Sequence, residues 1–487
     1  MKPRPPISDG PHLIVGLARS GAAAARVLSE RGERVIGIDA GAPQCAGALA
    51  MQGVELHLHD DGLAHLDDAR SVIKSPGVAA QAPVIEAARA RGLPVLGELE
   101  LAWRLLPNEF IAVTGTNGKT TTVELIGHIH RIAGLRVAVA GNVGTALSAL
   151  VGRIDERAAV VCEASSFQLE DTLAFAPEAA VLLNITPDHL DRHGTLAAYR
   201  AAKLRIFAHQ RVGDVAVLPL ERSAEIEPTP GVRRLPFTAG TLAEAEAEAE
   251  ADSEADSEAG VGDGAEAACR LVDGAILWEG ERLLDVGELR LRGEHNRRNA
   301  MASAAVCLAR GIDPDAVREG LRTFAGVPHR LQEVGSRDGV LYVNDSKATN
   351  VASTLVALRA FPQGGVHLIL GGQGKGQDFA PLREAVAASC RAVYLIGEDA
   401  PRIAAALADV GALLGTPPLR DVASSRSREH AQVPVRECVE LERAVAAASA
   451  AARPGETVLL SPACASFDQF VDFEARGERF AALVEGC

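Results

Sequence analysis

Residues 118–121 are a glycine, a lysine and two threonines, placed between an apolar segment and a segment with helical periodicity. The apolar run 110–113 predicts a buried strand, and the spacing of apolar residues in 121–132 predicts a helix. Backbone N–H groups at such a turn bind phosphate, and the helix dipole adds to the attraction. We therefore predict a phosphate-binding loop, in which Lys119 reaches the outer phosphates of a nucleotide and Thr120 holds Mg²⁺.

The predicted loop departs from the usual pattern in its spacing. Two residues separate Gly115 from Gly118, fewer than in the common phosphate loop, and Val113 stands where the earlier glycine would be. We predict a variant loop. The alternative is an ordinary strand–helix turn that contains Gly-Lys-Thr by chance.

An acid and a His/Asp-rich segment follow the loop. Glu163 ends the apolar run 158–162, and an acid at a strand end beside a phosphate loop commonly anchors Mg²⁺. We favour this role over capping of the helix that begins near Ser165. Residues 188–193 hold two histidines and two aspartates, which predict either a transition-metal site or a solvent-facing polar loop.

Lys203 falls on the apolar stripe of the helix predicted after Thr195. A lysine on an inward face is costly unless it is paired or chemically altered. The alternative is that its ammonium extends along the helix to the surface.

The N-terminal region reads as a βαβ unit with a glycine turn, Gly16 to Gly21, and an acid, Asp39, at the end of the second strand. Ala18 stands where a dinucleotide-binding turn would have glycine, so the match to that fingerprint is poor. A nicotinamide or flavin site, another nucleotide-diphosphate site and a purely structural unit all remain open. Val95 begins what we predict to be a linker into 98–106.

The last third repeats the α/β rhythm and collects basic and polar residues at strand ends. Lys347, Lys375 and Ser466 each follow an apolar run, at the edge where open doubly wound sheets bind ligands. They suit a substrate that carries a carboxylate.

Length and composition predict three α/β domains in 487 residues. We expect a Rossmann-like domain at 1–97, a central ATPase-type domain with a mostly parallel sheet at 98–326, and a Rossmann-like domain at 327–487. Residues 240–268 carry ten acids and no Lys or Arg, and we predict a disordered insert without an assigned role. The net charge of −15 argues against nucleic-acid binding, and no apolar run is long enough to cross a membrane. The eight cysteines contain no Cys-x-x-Cys pair, so we expect reduced thiols, a cytoplasmic location and no cysteine-based zinc site.

Several motifs together resemble those of the Mur ligases of peptidoglycan synthesis, over nearly the whole chain except the insert. They are Thr114-Gly-Thr-Asn-Gly-Lys-Thr-Thr, Glu163-Ala-Ser-Ser-Phe-Gln, Asp188-His-Leu-Asp-Arg-His, Tyr199-Arg-Ala-Ala-Lys, His295-Asn with Asn299, Pro328-His-Arg, Asn344-Asp-Ser-Lys-Ala-Thr-Asn and Ser461-Pro-Ala-Cys-Ala-Ser-Phe-Asp. The resemblance is greatest to the member that adds D-glutamate to UDP-N-acetylmuramoyl-L-alanine with ATP. It implies a cytoplasmic, monomeric ATP-dependent ligase with an acyl-phosphate intermediate.

The resemblance also implies roles for individual residues. The ATP-binding residues would be Gly115, Thr116, Asn117, Gly118, Lys119, Thr120, Thr121, Asn296, Asn299, Arg330 and Asp345. Two Mg²⁺ ions would be held by Thr120 and Glu163 and by His189 and Lys203, with Lys203 carbamylated, and Lys119, Glu163, His189 and Lys203 would be catalytic. The UDP-linked substrate would contact Arg19, Ser20, Asp39, Ser75, Asn142 and Ser165. D-glutamate would contact Lys347, Thr349, Lys375, Ser466, Phe467 and Phe473.

Other functions remain as alternatives. A relative that adds L-glutamate to the same precursor has the same site chemistry, and a folylpolyglutamate-type synthetase also joins glutamate with ATP. An NAD-dependent oxidoreductase would use the Gly16 turn but leave the phosphate loop, Glu163 and Lys203 without a role. A nucleotide-regulated binding protein would bind ATP and release no phosphate.

Overall fold

The computed structural model describes residues 2–225, 229–239, 267–291, 293–361, 364–408, 411–413 and 433–486. Most of the predicted acidic insert, residues 240–266, lies outside the described residues. The chain divides into two compact units, the first ending at Phe324 and the second beginning at Ala325. No described helix is long and apolar enough to cross a membrane.

Among the described residues, the N-terminal part of the first unit forms a five-stranded parallel sheet in the order β3-β2-β1-β4-β5. The strands are β1 His12–Val15, β2 Val35–Asp39, β3 Glu55–Leu58, β4 Ser71–Lys74 and β5 Val95–Gly97, and the helices are α1 Arg19–Glu30, α2 Ala46–Met51, α3 Pro83–Ala90 and α4 Glu98–Leu105. This is the order of a Rossmann-like sheet, whose ligands bind where the strand order reverses, between β1 and β4.

A larger sheet fills the rest of the first unit, with nine strands in the described part of the chain in the order β14-β13-β12-β11-β10-β9-β6-β8-β7. The strands are β6 Phe110–Thr114, β7 Val137–Gly141, β8 Ala159–Glu163, β9 Ala179–Leu182, β10 Val215–Pro219, β11 Arg233–Thr238, β12 Cys269–Val272, β13 Ala275–Trp278 and β14 Glu281–Asp285. The helices are α5 Lys119–Ile132, α6 Ser166–Leu169, α7 Leu190–His193, α8 Leu196–Leu204, α9 Glu294–Ala309 and α10 Pro314–Thr323. The last two strands pair antiparallel and the others pair parallel.

The second unit contains a seven-stranded sheet within its described residues, in the order β15-β16-β21-β17-β18-β20-β19. The strands are β15 Gln332–Arg337, β16 Val340–Asn344, β17 Val366–Gly371, β18 Cys390–Ile396, β19 Gly411–Leu413, β20 Val433–Val439 and β21 Thr457–Leu460. The helices are α11 Val351–Leu358, α12 Leu382–Ser389, α13 Ala400–Ala406, α14 Leu441–Ala451 and α15 Phe473–Gly486. Among the described strands of this sheet, β15 alone pairs antiparallel to its neighbour, so the predicted three-domain α/β fold with mostly parallel sheets is confirmed.

The prediction of a linker that begins at Val95 is wrong, because residues 95–97 form strand β5, which pairs with β4 and leads directly into the buried helix α4. Trp103 on α4 is fully buried and meets the Phe175 ring edge to face, 5.8 Å between centroids. Two acids on the same helix are also buried, and Glu98 accepts a hydrogen bond from Ser148 N at 2.6 Å. The exact limits 97 and 326 of the predicted domains stay predictions.

Candidate active site

The predicted phosphate loop joins β6 to α5, as the sequence indicates. Gly118 adopts a left-handed conformation (φ +85°) immediately before the helix, and a Cβ there would clash with Asn299 Oδ1. A residue with a side chain would therefore meet both backbone strain and a steric conflict. The glycine lets the loop turn its backbone N–H groups toward the start of α5, where an anion is favoured.

Side chains and carbonyls from neighbouring strands hold the loop in place. Asn184, just after β9, accepts from Thr116 N with its carbonyl and from Asn117 N with its Oδ1, at 3.0 and 2.9 Å. The Thr116 hydroxyl also lies 3.1 Å from Tyr199 OH. The sequence reasoning assigned no role to Asn184; its position directly after an apolar run is the signal that could have found it.

Lys119, the first residue of α5, bends back over the loop. Its Nζ donates to Gly115 O and Thr116 O, both at 2.8 Å. The ammonium is thus placed beside the loop backbone that would surround a phosphate chain. Because charge-assisted bonds to phosphate are stronger than bonds to neutral carbonyls, the position fits a nucleotide.

The next residue, Thr120, contacts the acid that ends β8. Thr120 Oγ1 donates to Glu163 Oε2 at 2.8 Å, and Asn142 Nδ2 donates to Glu163 Oε1 at 3.0 Å. Glu163 is 2% exposed, and no lysine or arginine is among these partners. A buried carboxylate beside a hydroxyl supplies the oxygen ligands that Mg²⁺ prefers, so these residues fit a magnesium ion.

The alternative role of Glu163 as a helix cap is filled by another residue. Ser165 is the N-cap of α6: its Oγ accepts from Gln168 N at 3.3 Å, and the Gln168 side chain accepts from Ser165 N at 3.0 Å. Ser165 therefore has a local structural role at the position where the resemblance implies a substrate contact.

Lys203 on α8 is buried and lies next to the phosphate loop. It is 1% exposed, its Nζ donates to Gly115 O at 2.7 Å, and the same atom is 4.5 Å from the centre of the Tyr199 ring. Burial lowers the pKa of the Lys203 ammonium to about 7, and the charge of Lys119 lowers it as well. The inward orientation is therefore correct, and the amine is largely neutral slightly above neutral pH.

The segment 188–193 does not form a three-ligand metal group among the side chains that are described. His189 has a left-handed backbone (φ +51°), and its ring lies 4.9 Å from Phe167 and 6.5 Å from Tyr199. His189 and Lys203 thus both border the Tyr199 ring.

The second turn of α9 lies against the phosphate loop at Asn299. Asn299 Nδ2 donates to Asn296 Oδ1 at 3.3 Å, and Asn299 is the residue that approaches Gly118 most closely. Both predicted adenine-contacting residues are therefore in the neighbourhood of the phosphate loop.

In the first sheet, Asp39 at the end of β2 organises the glycine turn. Its carboxylate accepts from Leu17 N at 2.7 Å and Gly41 N at 2.8 Å. Ser75 follows β4 and faces Gly16 across the switch point, where a Cβ on Gly16 would approach Ser75 Cβ to 3.1 Å. Glycine at position 16 therefore permits both the left-handed backbone (φ +83°) and the close approach of the segment after β4.

Arg19 and Ser20 begin α1 at the same sheet end. Arg19 Nη2 donates to Asn142 O at 2.6 Å. Because Asn142 also binds Glu163, a chain of contacts connects the first sheet to the predicted magnesium residues.

In the second unit, Asp345 is buried just after β16. It accepts from Ser461 Oγ at 2.7 Å and from Leu331 N at 3.1 Å. Burial raises the pKa of the Asp345 carboxyl to about 7, against the lowering effect of the Ser461 hydroxyl and of Arg330. Thr349 N donates to Lys347 O at 2.9 Å in the turn that follows.

The predicted amino-acid residues border the segment after β21. Lys347 Nζ is 5.8 Å from the Phe473 ring, and Lys375 Nζ is 5.3 Å from the exposed Phe467 ring. Ser466 is buried, and its hydroxyl has no hydrogen-bond partner within the described residues. A buried hydroxyl without a partner fits a ligand that completes its hydrogen bonding.

One residue of this region was missed by the sequence reasoning. Arg476 on α15 is 1% exposed, and its guanidinium donates to Ser346 Oγ, Ser346 O and Cys464 O at 2.8–3.0 Å. Burial lowers the pKa of Arg476 to about 10. The guanidinium ties together the segments that carry Lys347, Ser466 and Phe473, and only the spacing from the Ser461 motif could have drawn attention to it.

Three family models cover most of the chain. The Mur ligase MurD-like N-terminal domain matches residues 11–97, the Mur ligase middle domain matches 113–307, and the Mur ligase glutamate ligase domain matches 329–464. The chain belongs to the Mur ligase family. The resemblance drawn from the motifs is confirmed.

Relatives in this family match over nearly their full length. The UDP-N-acetylmuramoylalanine–D-glutamate ligase of Anaeromyxobacter dehalogenans is 41% identical, over 97% of this chain and 96% of its own. The protein of the same name from Myxococcus xanthus is 40% identical, over 97% of both chains.

Solved structures of Mur ligases share the fold. The UDP-N-acetylmuramate-alanine ligase of Thermotoga maritima aligns with a TM-score of 0.53 at 19% identity, covering 98% of this chain and 99% of its own. MurF from Acinetobacter baumannii aligns with a TM-score of 0.54 at 17% identity, covering 94% and 92%. At these identities the likeness concerns the fold alone.

Membership of the Mur ligase family favours the ligase interpretation over the oxidoreductase, because it accounts for the phosphate loop and the groups around it. Within the first unit, the structure brings together the predicted loop, Glu163, Lys203, Asn299 and Asn142. Within the second unit it groups the predicted amino-acid residues around the segment after β21. The individual roles given to these residues stay predictions.

Proposed function

We propose that this Mur ligase joins D-glutamate to UDP-N-acetylmuramoyl-L-alanine at the cost of ATP, forming an amide bond through an acyl phosphate. The observation that carries the proposal is the grouping of Lys119, Thr120, Glu163 and Lys203 around one phosphate loop. The substrates are those in the printed name of relatives that are about 40% identical over the whole chain.

The phosphate loop and α9 bind the nucleotide. Residues 115–121 surround the phosphates, and Asn296 and Asn299 contact the adenine. By the resemblance, Asp345 would bind the ribose and Arg330 would lie near the nucleotide. The raised pKa of Asp345 favours a protonated carboxyl near neutral pH, which can donate a hydrogen bond as well as accept one.

Thr120 and Glu163 would hold one magnesium ion, and His189 and Lys203 would hold a second. The low pKa of Lys203 supports carbamylation, because only a neutral amine attacks CO₂. The carbamate replaces a buried cation beside Lys119 with an anion, which removes the repulsion between the two ammonium groups. When bound, the magnesium ions neutralise negative charge on the transferring phosphoryl group.

The chain's own residues position the reaction. The alanyl carboxylate of the UDP substrate attacks the γ-phosphorus of ATP, the bond to the bridging oxygen breaks, and ADP leaves. Lys119 donates to the phosphoryl oxygens on which charge develops. The amine of D-glutamate then attacks the acyl carbon, phosphate leaves with the former carboxylate oxygen, and the amine loses a proton. ATP is needed because a free carboxylate is a poor acyl donor.

Two further groups of residues bind the UDP-linked substrate and the amino acid. Arg19, Ser20, Asp39 and Ser75 bind the uridine diphosphate part at the switch point of the first sheet, and Asn142 and Ser165 bind the muramoyl-alanine part. D-glutamate is held by Lys347, Thr349, Lys375, Ser466, Phe467 and Phe473. The two lysines match the two carboxylates of glutamate in charge.

We also propose that the enzyme is a cytoplasmic monomer. The seven cysteines that the structure describes are free, and six of them are buried, as is usual in a reducing compartment. Elution from size-exclusion chromatography with light scattering tests the oligomeric state.

Trapping of the acyl phosphate tests the proposed chemistry. The chain is incubated with Mg·ATP, UDP-N-acetylmuramoyl-L-alanine and hydroxylamine, without glutamate. Hydroxylamine should displace phosphate and give the alanyl hydroxamate, detected by mass spectrometry, and Lys119→Ala should abolish it. Absence of hydroxamate with the wild-type chain, under conditions where ATP and the UDP substrate both bind, would refute the proposal and favour a binding protein.

A further inference from the structure

Two histidines and an aspartate lie close together in the N-terminal domain, on segments that are not part of the phosphate loop. One ring nitrogen each of His57 and His65 and one carboxylate oxygen of Asp60 lie within 4.8 Å of one another. Among the described residues, this is the one group of three or more histidine, cysteine or acidic side chains that lie close enough together to hold a metal ion. We propose that His57, Asp60 and His65 form a Zn²⁺ site.

The fold builds this cluster from separate segments. His57 lies on β3, at the edge of the sheet, Asp60 follows that strand, and His65 ends the 3₁₀ turn 63–65. Gly62 begins this turn with a left-handed backbone (φ +81°), and a Cβ there would clash with Ile38. The turn that brings His65 back over the strand therefore requires glycine at this position.

The aspartate is oriented toward the histidines. Asp60 Oδ1 accepts from Gly62 N at 2.7 Å, while Oδ2 faces His65 Nε2 at 3.5 Å. One carboxylate oxygen is thus bound by the backbone, and the other faces the histidines, where a cation would bind.

The two histidines supply the nitrogen ligands. Their rings are tilted by 33° with centroids 3.9 Å apart, and His65 Nε2 is buried without a hydrogen-bond partner among the described residues. In its unprotonated form this buried nitrogen is an acceptor without a donor, and a metal ion bound between it and Asp60 Oδ2 would complete its bonding. His57 Nε2 lies 3.1 Å from Glu55 Oε1, and the other oxygen of that carboxylate, Oε2, accepts from Arg34 Nη2 at 3.1 Å. Carboxylates that orient a metal-binding histidine are usual in zinc sites.

The ligand set selects the metal. Two imidazoles and one carboxylate suit Zn²⁺, with water as the fourth ligand of a tetrahedron, and disfavour Mg²⁺ and Ca²⁺, which take oxygen ligands. Bonds of ~2.0 Å place tetrahedral ligand atoms ~3.3 Å apart, so small side-chain rotations close the observed group around an ion. The spacing of the cysteines gave no indication of this site, because the site contains no cysteine.

The site adjoins the proposed uridine diphosphate pocket. Asp60 N donates to Asp39 O at 3.2 Å, and Leu58 pairs with Asp39 in the sheet. An ion that fixes residues 57–65 would therefore also fix the backbone of Asp39. Zinc binding itself does not depend on the proposed function and is measured without substrate.

Calorimetric titration of the full chain with ZnCl₂, in excess Mg²⁺ and without nucleotide, tests the proposal. We expect one Zn²⁺ per chain, with affinity at least about 10-fold weaker in His65→Gln and in Asp60→Asn. The matched controls are His189→Gln, in the other histidine segment, and His209→Gln, an exposed histidine; both should bind zinc like the wild type. Co²⁺ should give visible absorption bands in the wild type that His65→Gln lacks.

Unchanged thermal unfolding of the metal-free variants shows that they are folded. The proposal is overturned if the wild type binds no zinc, or if His65→Gln and Asp60→Asn bind it with unchanged stoichiometry and affinity. Loss of zinc in His189→Gln with retention in His65→Gln would place the ion in the central domain and overturn it as well.

Discussion

The Lys203 amine should react with CO₂ near neutral pH, far below the range in which an ordinary lysine does so. Burial and the charge of Lys119 lower its pKa to about 7. About three quarters of the molecules then carry a neutral amine at about pH 7.5, compared with about 0.1% for a lysine of ordinary pKa, about 10.4. The neutral fraction rises with pH. At fixed dissolved CO₂, the rate of carbamate formation should reach half its maximum near pH 7.

Carbon-13 NMR with labelled CO₂ measures this rate directly. The wild type should show a carbamate resonance that the variant Lys203→Arg lacks, since the guanidinium stays protonated and does not react. Lys203→Ala should lose at least about 100-fold in ligase activity, because a ligand of the second magnesium ion is removed. No carbamate resonance in the wild type, a half-maximum near pH 10, or full activity of Lys203→Ala at ambient CO₂ would refute the reasoning.

Other substitutions test the remaining parts of the site. Glu163→Gln should raise the Mg²⁺ concentration needed for half-maximal phosphate release by at least about 10-fold, because it removes a buried anionic ligand; an unchanged Mg²⁺ dependence would argue against the metal role. Gly118→Ala should raise the KM for ATP by about 10-fold or more, because the new side chain is strained at this backbone angle and clashes with Asn299. The control is Gly134→Ala, which is also at positive φ but has open space around it and should leave the KM unchanged. Equal KM values in the two variants would contradict this prediction. Asp345→Asn should raise the melting temperature more at pH 8 than at pH 5. The reason is that the raised pKa of Asp345 makes the wild-type protein lose stability as the pH rises from about 4 to about 7. If the difference in melting temperature between the variant and the wild type does not widen with pH, Asp345 titrates normally.

Local patterns in the sequence predicted the centre of the site well. The apolar run before the loop and the periodicity after it identified β6 and α5, because strand and helix signals both lie within a few residues. The stripe on α8 also indicated the inward face of Lys203, which the structure shows to be 1% exposed. In each case the residues that decide the conformation are neighbours in the chain.

Features that depend on distant partners were not predictable in the same way. The burial of Glu98 was not predicted, since its carboxylate accepts a hydrogen bond from Ser148 N, fifty residues away in the chain. Arg476 was not singled out in the sequence, and its guanidinium donates to a hydroxyl and a carbonyl on two other segments. The proposed Zn²⁺ site likewise depends on the turn at Gly62, which brings His65 back to His57.

Phosphate release from Mg·ATP in the presence of UDP-N-acetylmuramoyl-L-alanine, compared with D-glutamate, L-glutamate and no amino acid, tests the central proposal most directly. We predict release that depends on D-glutamate and is matched by an equal amount of the UDP-linked dipeptide. Release with L-glutamate alone would keep the mechanism and change the substrate. No release with either amino acid, from a chain shown to bind ATP, would contradict the assignment as a ligase.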